Sequence, residues 1–85
     1  MIAVLDEVQA ERYRQDMKWG EQNHDESYWL GIHMEELGEV AKTIIEKDAP
    51  GRTREELVQL AATCVAHIEA IDRRYAGTHV TAVKA

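Results

Sequence analysis

The sequence predicts an all-α protein of one domain, a three-helix subunit that completes a four-helix-type bundle through homo-oligomerisation. Three observations lead there. Apolar residues recur at i, i+3 and i+4 rather than in alternation. Helix formers dominate and one proline stands in 85 residues. Strong turn signals fall in two places, Gly20 to Asp25 and Asp48 to Gly51, which divide the chain into three segments.

The first segment runs from about Ala3 to Lys18, with Leu5, Val8, Arg12 and Tyr13 at helical spacing and charged residues interrupting the stripe. One face of it should pack while the rest is wet, and Trp19-Gly20 ends it. The polar run Glu21-Gln22-Asn23-His24-Asp25 reads as a loop, with Asp25 or Ser27 as the next N-cap. The second helix is expected over Glu26 to Lys47. Trp29, Leu30, His33, Met34, Leu37, Val40, Ala41, Ile44 and Ile45 make one broad face. Gly31 and Gly38 inside it each cost about 1 kcal/mol relative to alanine, which points to close approach by a helix or ligand.

After the Asp48-Ala49-Pro50-Gly51 turn, Thr53 and Glu56 form a T-x-x-E capping box for a third helix reaching about Arg74, with Gly77 just beyond. Leu57, Leu60, Ala61, Cys64, Val65, Ile68 and Ile71 form one face there, and Val58, Ala62, Ala66 and Ala70 extend it almost round. A helix apolar on nearly every side is buried on nearly every side. Two companions cannot surround it, so a second copy is expected, as a homodimer or homotetramer. Residues 78–85 read as a loose or swapped tail.

Size and charge narrow the function. A chain of this length buries only about 60–65% of the surface it exposes when unfolded, so it needs a staple or a partner. Cys64 is the single cysteine, which excludes a disulfide within the chain and fits a reducing, cytoplasmic setting. The apolar start Met1 to Leu5 meets Asp6 and Glu7 at once, unlike a signal peptide, and no apolar run approaches the roughly 20 residues of a membrane helix. A formal charge of −6 without a basic cluster argues against polymeric nucleic acid as a partner. An acidic protein can still take a small phosphate ester if a divalent cation lies between the two negative sets.

Two acidic clusters could hold such a cation. Glu35-Glu36-Leu37-Gly38-Glu39 reads E-E-x-x-E, and residues three apart on a helix place their Cβ atoms about 5–6 Å from each other. Glu55-Glu56-Leu57-Val58-Gln59 supplies E-x-x-Q at the start of the next helix. A short turn makes the two helices antiparallel, so the clusters approach across the hairpin. Carboxylates bordering a core are costly unless compensated, and Mg²⁺ takes carboxylate oxygens, phosphates and waters. Lys42 and Arg54 are the local cationic alternatives. The plain structural reading is that Glu pairs decorate solvated helix faces and that Glu56 only caps. Two clusters on facing helices, each beside an apolar stripe, weigh against it.

The runs Lys18-Trp19-Gly20-Glu21-Gln22-Asn23-His24, Glu35-Glu36-Leu37-Gly38-Glu39-Val40 and Glu55-Glu56-Leu57-Val58-Gln59-Leu60-Ala61-Ala62 resemble MazG-like proteins of the all-alpha nucleotide pyrophosphohydrolases, in a short phage and bacterial form. The likeness covers roughly Glu11 to Arg74. It implies a helical fold and Mg²⁺-dependent hydrolysis of a nucleoside triphosphate to monophosphate and pyrophosphate, with Mn²⁺ as a substitute ion. By that resemblance Glu36, Glu39 and Glu56 are catalytic metal ligands. Gln59 stands where the family pattern has an aspartate, offering an amide oxygen without charge or basicity.

The expected substrate-binding residues are Trp19, which offers a ring face to a base, Asn23 and His24 for base or sugar, and Lys42 and Arg54 for phosphate. Trp29, on the apolar stripe, and His33 read as core residues. His67 lies roughly 16 Å along the axis from Glu56, too far to share a ligand. Cys64-x-x-His67 lacks a second zinc pair. The competing readings are a nucleotide-binding module impaired by Gln59 and a helical oligomerisation module with solvated acidic faces. A di-iron protein is disfavoured, because the helical Glu-x-x-His pairs of such sites are missing.

Overall fold

A computed structural model describes residues 2–47 and 49–76. The described chain is all-helical: α1 spans Ile2–Trp19, α2 Glu26–Ile45 and α3 Pro50–Tyr75. Both α1 and α2 pack mainly on α3, the longest of the three. The tail 78–85 and Gly77, read from sequence as loose chain and helix terminator, lie outside the described residues.

Local chemistry sets the helix ends. Gly20 adopts φ +76°, and its N–H donates to the Asp16 carbonyl at 2.8 Å, so glycine closes α1 where a side chain would be strained. Asp25 is the N-cap of α2: its carboxylate accepts from the Tyr28 N–H at 2.8 Å. The start of α3 differs from expectation. Pro50 takes the first helical position after Ala49, since proline has no N–H to leave unpaired and its fixed φ suits the first turn. Thr53 is thereby carried inside the helix, and the Thr53–Glu56 capping box does not form. Thr53 Oγ1 instead lies 2.9 Å from Thr43 Oγ1 on α2, while Thr43 donates to the Val40 carbonyl at 2.7 Å.

The packed faces are narrower than the apolar stripes. On α2 the inward residues are Trp29, Ile32, His33, Glu36, Val40 and Thr43, spaced by three and four; on α3 they include Glu56, Ala62, Thr63, Ala66 and Ala70. Trp29, 1% exposed, is the only large side chain wholly enclosed among the described residues, and it packs with Ala66, Ala70 and Ile32. Small alanines let the helices close around that one indole. Outward lie Leu30, Met34, Leu37 and Ile44 on α2 and Leu57, Cys64 and Ile68 on α3; Met34 is 65% and Ile68 58% exposed.

One further expectation, for α1, is corrected. On α1 the inward face is Val8, Glu11, Arg12 and Gln15, with Leu5 and Tyr13 exposed, because the contact with α3 is made by charge. Arg12 donates to Glu69 on α3 and to Asp16, and Arg54 of α3 donates two bonds, at 2.6 and 2.7 Å, to Glu7. Neither Gly31 nor Gly38 has any atom within 4 Å of where a Cβ would stand, so no part of the described chain approaches them.

Replacing Asp25 with alanine should destabilise the fold by about 1 kcal/mol, the usual value of an N-cap, measured as a lowered urea midpoint at unchanged m-value.

Candidate functional site

The helix period that turns Trp29 inward does the same for Glu36, seven residues later on the same stripe. Glu56 is carried inward in the same way on α3, 8% exposed, because the helix begins at Pro50 and releases it from capping. Glu36 feels the charges of Glu56 on α3, of Glu35 and Glu39 on its own helix, and of Glu11 on α1. Burial pushes the Glu36 carboxyl above the usual carboxylate range, and the charges of Glu56, Glu35, Glu39 and Glu11 push it the same way. The nearest cation to Glu56 is Arg52, whose Nη2 lies 4.0 Å from Oε2 while its Nη1 donates to Glu55 at 3.2 Å. Glu11 is paired with Arg14, whose Nε donates to it at 2.8 Å, and Glu56 only weakly with Arg52, so two arginines stand against the larger group of carboxylates.

The other expected residues divide between two clefts. Trp19, Asn23 and His24 line one of about 470 Å³ whose wall also contains Glu36, Glu35, Tyr28 and Thr63. Trp19 is exposed, with the Lys18 ammonium 4.7 Å from its ring centroid. The His24 Nε2 lies 2.8 Å from Gln22 Oε1, and its ring lies 4.3 Å from that of Tyr28. Gln59 and Arg54 line a second cleft of about 580 Å³ on the α1 side, with Glu7, Glu11, Arg14 and Arg52. Arg54 is committed to Glu7 there, and the Glu7 carboxyl is held below its usual range by those bonds. Lys42 is exposed and lines neither cleft. Glu39 is exposed at the edge of the acidic group.

Among the described residues no three His, Cys, Asp or Glu side chains gather closely enough to hold one metal ion as they stand. The donor set nevertheless suits a hard cation: oxygen ligands only, like-charged, partly dehydrated and short of positive charge. Two participants are missed by sequence reasoning. Glu11 comes from α1, whose interrupted stripe gives no reason to place it inward. The His33–His67 contact stays hidden when His67 is measured against Glu56 alone; its signal is that the two histidines stand equally far from Pro50 in an antiparallel hairpin. No helix among the described residues is long and apolar enough to cross a membrane.

Comparison with family models, curated proteins and solved structures finds nothing that matches this chain. The functional reading rests on the arrangement of its residues and on the motif resemblance.

Because its folded-state proton affinity is raised, ionised Glu36 destabilises the fold above that range, and the penalty fades as pH falls through it. With divalent ions chelated, Glu36→Gln should therefore melt higher than the wild type at pH 7. The gap should close toward pH 4, read by calorimetry.

Proposed function

We propose that this chain is a Mg²⁺-dependent nucleoside triphosphate pyrophosphohydrolase acting as a homo-oligomer. The observation that carries the proposal is Glu36, held on a packed helix face among carboxylates from all three helices, with too little positive charge nearby. A fold that keeps a destabilising group inside its interface is keeping it for a ligand, the usual reason perturbed carboxylates collect at sites. The MazG-like motifs supply the same residues independently.

Glu36, Glu39 and Glu56 would hold the ion, with Gln59 adding an amide oxygen. When bound, Mg²⁺ supplies charge neutralisation for the phosphates and acidifies water. The chain's own contribution is positioning. Trp19 offers a ring face for a base, Asn23 and His24 offer hydrogen bonds beside it, and the shared cleft wall leads from them to Glu36. Arg52, beside Glu56, is the cation best placed to meet a phosphate; Arg54 would first have to leave Glu7.

The partner in this proposal is a second copy of the chain. Leu30, Met34, Leu37, Ala41 and Ile44 on α2, and Leu57, Ala61, Cys64, Ile68 and Ile71 on α3, repeat at alternating steps of four and three, the spacing of a bundle seam. Most of the large residues on both seams are exposed in one chain, with Gly31 and Gly38 alongside on α2. The radius of gyration, 14.5 Å, also exceeds the about 12 Å of a closed globule of this length. A hairpin pair from each of two copies would close a four-helix core. A second reading, a nucleotide-binding module without turnover, draws on Gln59 and on the spread of the carboxylates.

Incubation with a panel of nucleoside triphosphates and Mg²⁺ should release pyrophosphate from at least one of them. Glu36→Gln should lower that rate at least about a hundredfold, the scale of removing one group that stabilises transition-state charge. Nucleotide binding without release from any substrate would favour the second reading. By sedimentation, Ile68→Glu should shift the chain to a monomer, since it places a charge on the proposed seam.

A further inference from the structure

Three of the chain's four histidines gather around Trp29, next to the acidic site on the same face of α2. His33 on α2 and His67 on α3 face each other, Nε2 to Nδ1, at 2.8 Å. The other nitrogen of His67, Nε2, lies 2.7 Å from Glu26 Oε1 in the first turn of α2. His33 Nδ1 is buried and has no hydrogen-bond partner among the described residues.

These contacts fix the protons. The Glu26 carboxylate only accepts, so His67 Nε2 donates to it, and neutral His67 keeps a lone pair on Nδ1. His33 Nε2 must then donate to that lone pair, which leaves His33 Nδ1 bare. The chain runs one way, from His33 through His67 to Glu26. Adding a proton to His33 puts a hydrogen on Nδ1, where no described residue offers an acceptor. Adding it to His67 Nδ1 sets two N–H groups head to head, unless His33 changes tautomer. That change also moves a hydrogen to His33 Nδ1. Each route ends in a clash or a buried, unpaired donor.

We propose that His33, His67 and Glu26 form a proton-sensitive clasp that fastens the start of α2, and the loop bearing His24, to α3 and weakens on acidification. The surroundings settle what the clasp holds. Arg74 donates to the His24 carbonyl at 2.8 Å and lies 3.9 Å from Glu26, while Arg73 donates to the Gln22 carbonyl and to Asn23 Oδ1. The His24 ring meets Trp29 edge-on, and Trp29 stacks on His67 with centroids 5.0 Å apart. From α1 the charged contact to this part of α3 is Arg12 with Glu69, two residues past His67 and so on another flank of the helix.

Two neighbours favour charge on the imidazoles, the Trp29 ring face and the Glu26 carboxylate. Neither gives the Nδ1 hydrogen an acceptor. Burial, and then the neighbouring His67, hold His33 below the usual histidine range. Its stabilising contribution is therefore present above that range and is lost as pH falls, because the unfolded chain takes the proton first. That the fastened loop matters to a ligand rests on the nucleotide reading; the clasp itself does not.

The test uses the full chain and no substrate. Histidine ¹⁵N NMR at pH 8 should show Nε2–H tautomers at both His33 and His67, and His33 should stay neutral below the ordinary histidine range. Between pH 7.5 and 5.5 the wild type should lose severalfold more of its folding equilibrium constant than His33→Gln, the direction that linkage to a lowered histidine requires. Parallel pH dependence in the two proteins, an Nδ1–H tautomer at His33, or its titration in the ordinary range would overturn the clasp. If His33→Gln does not fold, the wild-type NMR titration decides alone. Because turnover is never measured, failure here is distinct from failure of the hydrolase proposal.

Discussion

The packing of α2 on α3 around Trp29 is the contact on which the rest of the molecule depends. One indole and the alanines facing it set how close the two helices come and in what register. Once that register is fixed, the helix period dictates every later contact along the same stripe. His33 must meet α3 near His67, Glu36 must meet it near Thr63, and Thr43 must meet Thr53. A polar column thus runs the length of the hairpin beside a small apolar core. The chain tolerates it because most of its members find partners across the interface.

Glu36 is the member that does not. Its neighbours are other carboxylates, and the fold bears that repulsion with a thin margin, since few large side chains are enclosed. Such a group makes the fold less stable, and it is the feature on which the proposed cation site rests. α1 adds to the tension from Glu11. It also relieves tension elsewhere, through Arg12–Glu69 and Arg54–Glu7, which attach it to α3 by charge where its apolar residues are too sparse.

Much of the fold is legible without coordinates. Gly20 as terminator and Asp25 as N-cap follow from backbone chemistry that does not depend on neighbours. Trp29 as core follows from its place on an apolar stripe. The start of α3 is the point where local pattern misleads. Thr53 with Glu56 satisfies the form of a capping box, while Pro50, which begins a helix equally well, reads as turn. The same ambiguity conceals the meaning of Glu56, which a capping role would explain and which instead lies buried on α3 within reach of the Glu36 charge. Leu5 and Tyr13 on α1 turn outward for a related reason: hydropathy cannot register a face that packs through an arginine and a glutamate.

By itself the sequence determined the helical class, the two turns, Gly20 as the terminator of α1 and the presence of more apolar surface than one chain can cover. These depend on residue spacing and local backbone preference. The tertiary structure alone decided which half of each apolar surface faces inward, and that α1 brings Glu11 toward Glu36. It also decided that His33 and His67 touch. Those outcomes depend on the register between helices, which one buried indole and a few alanines set and no periodicity encodes.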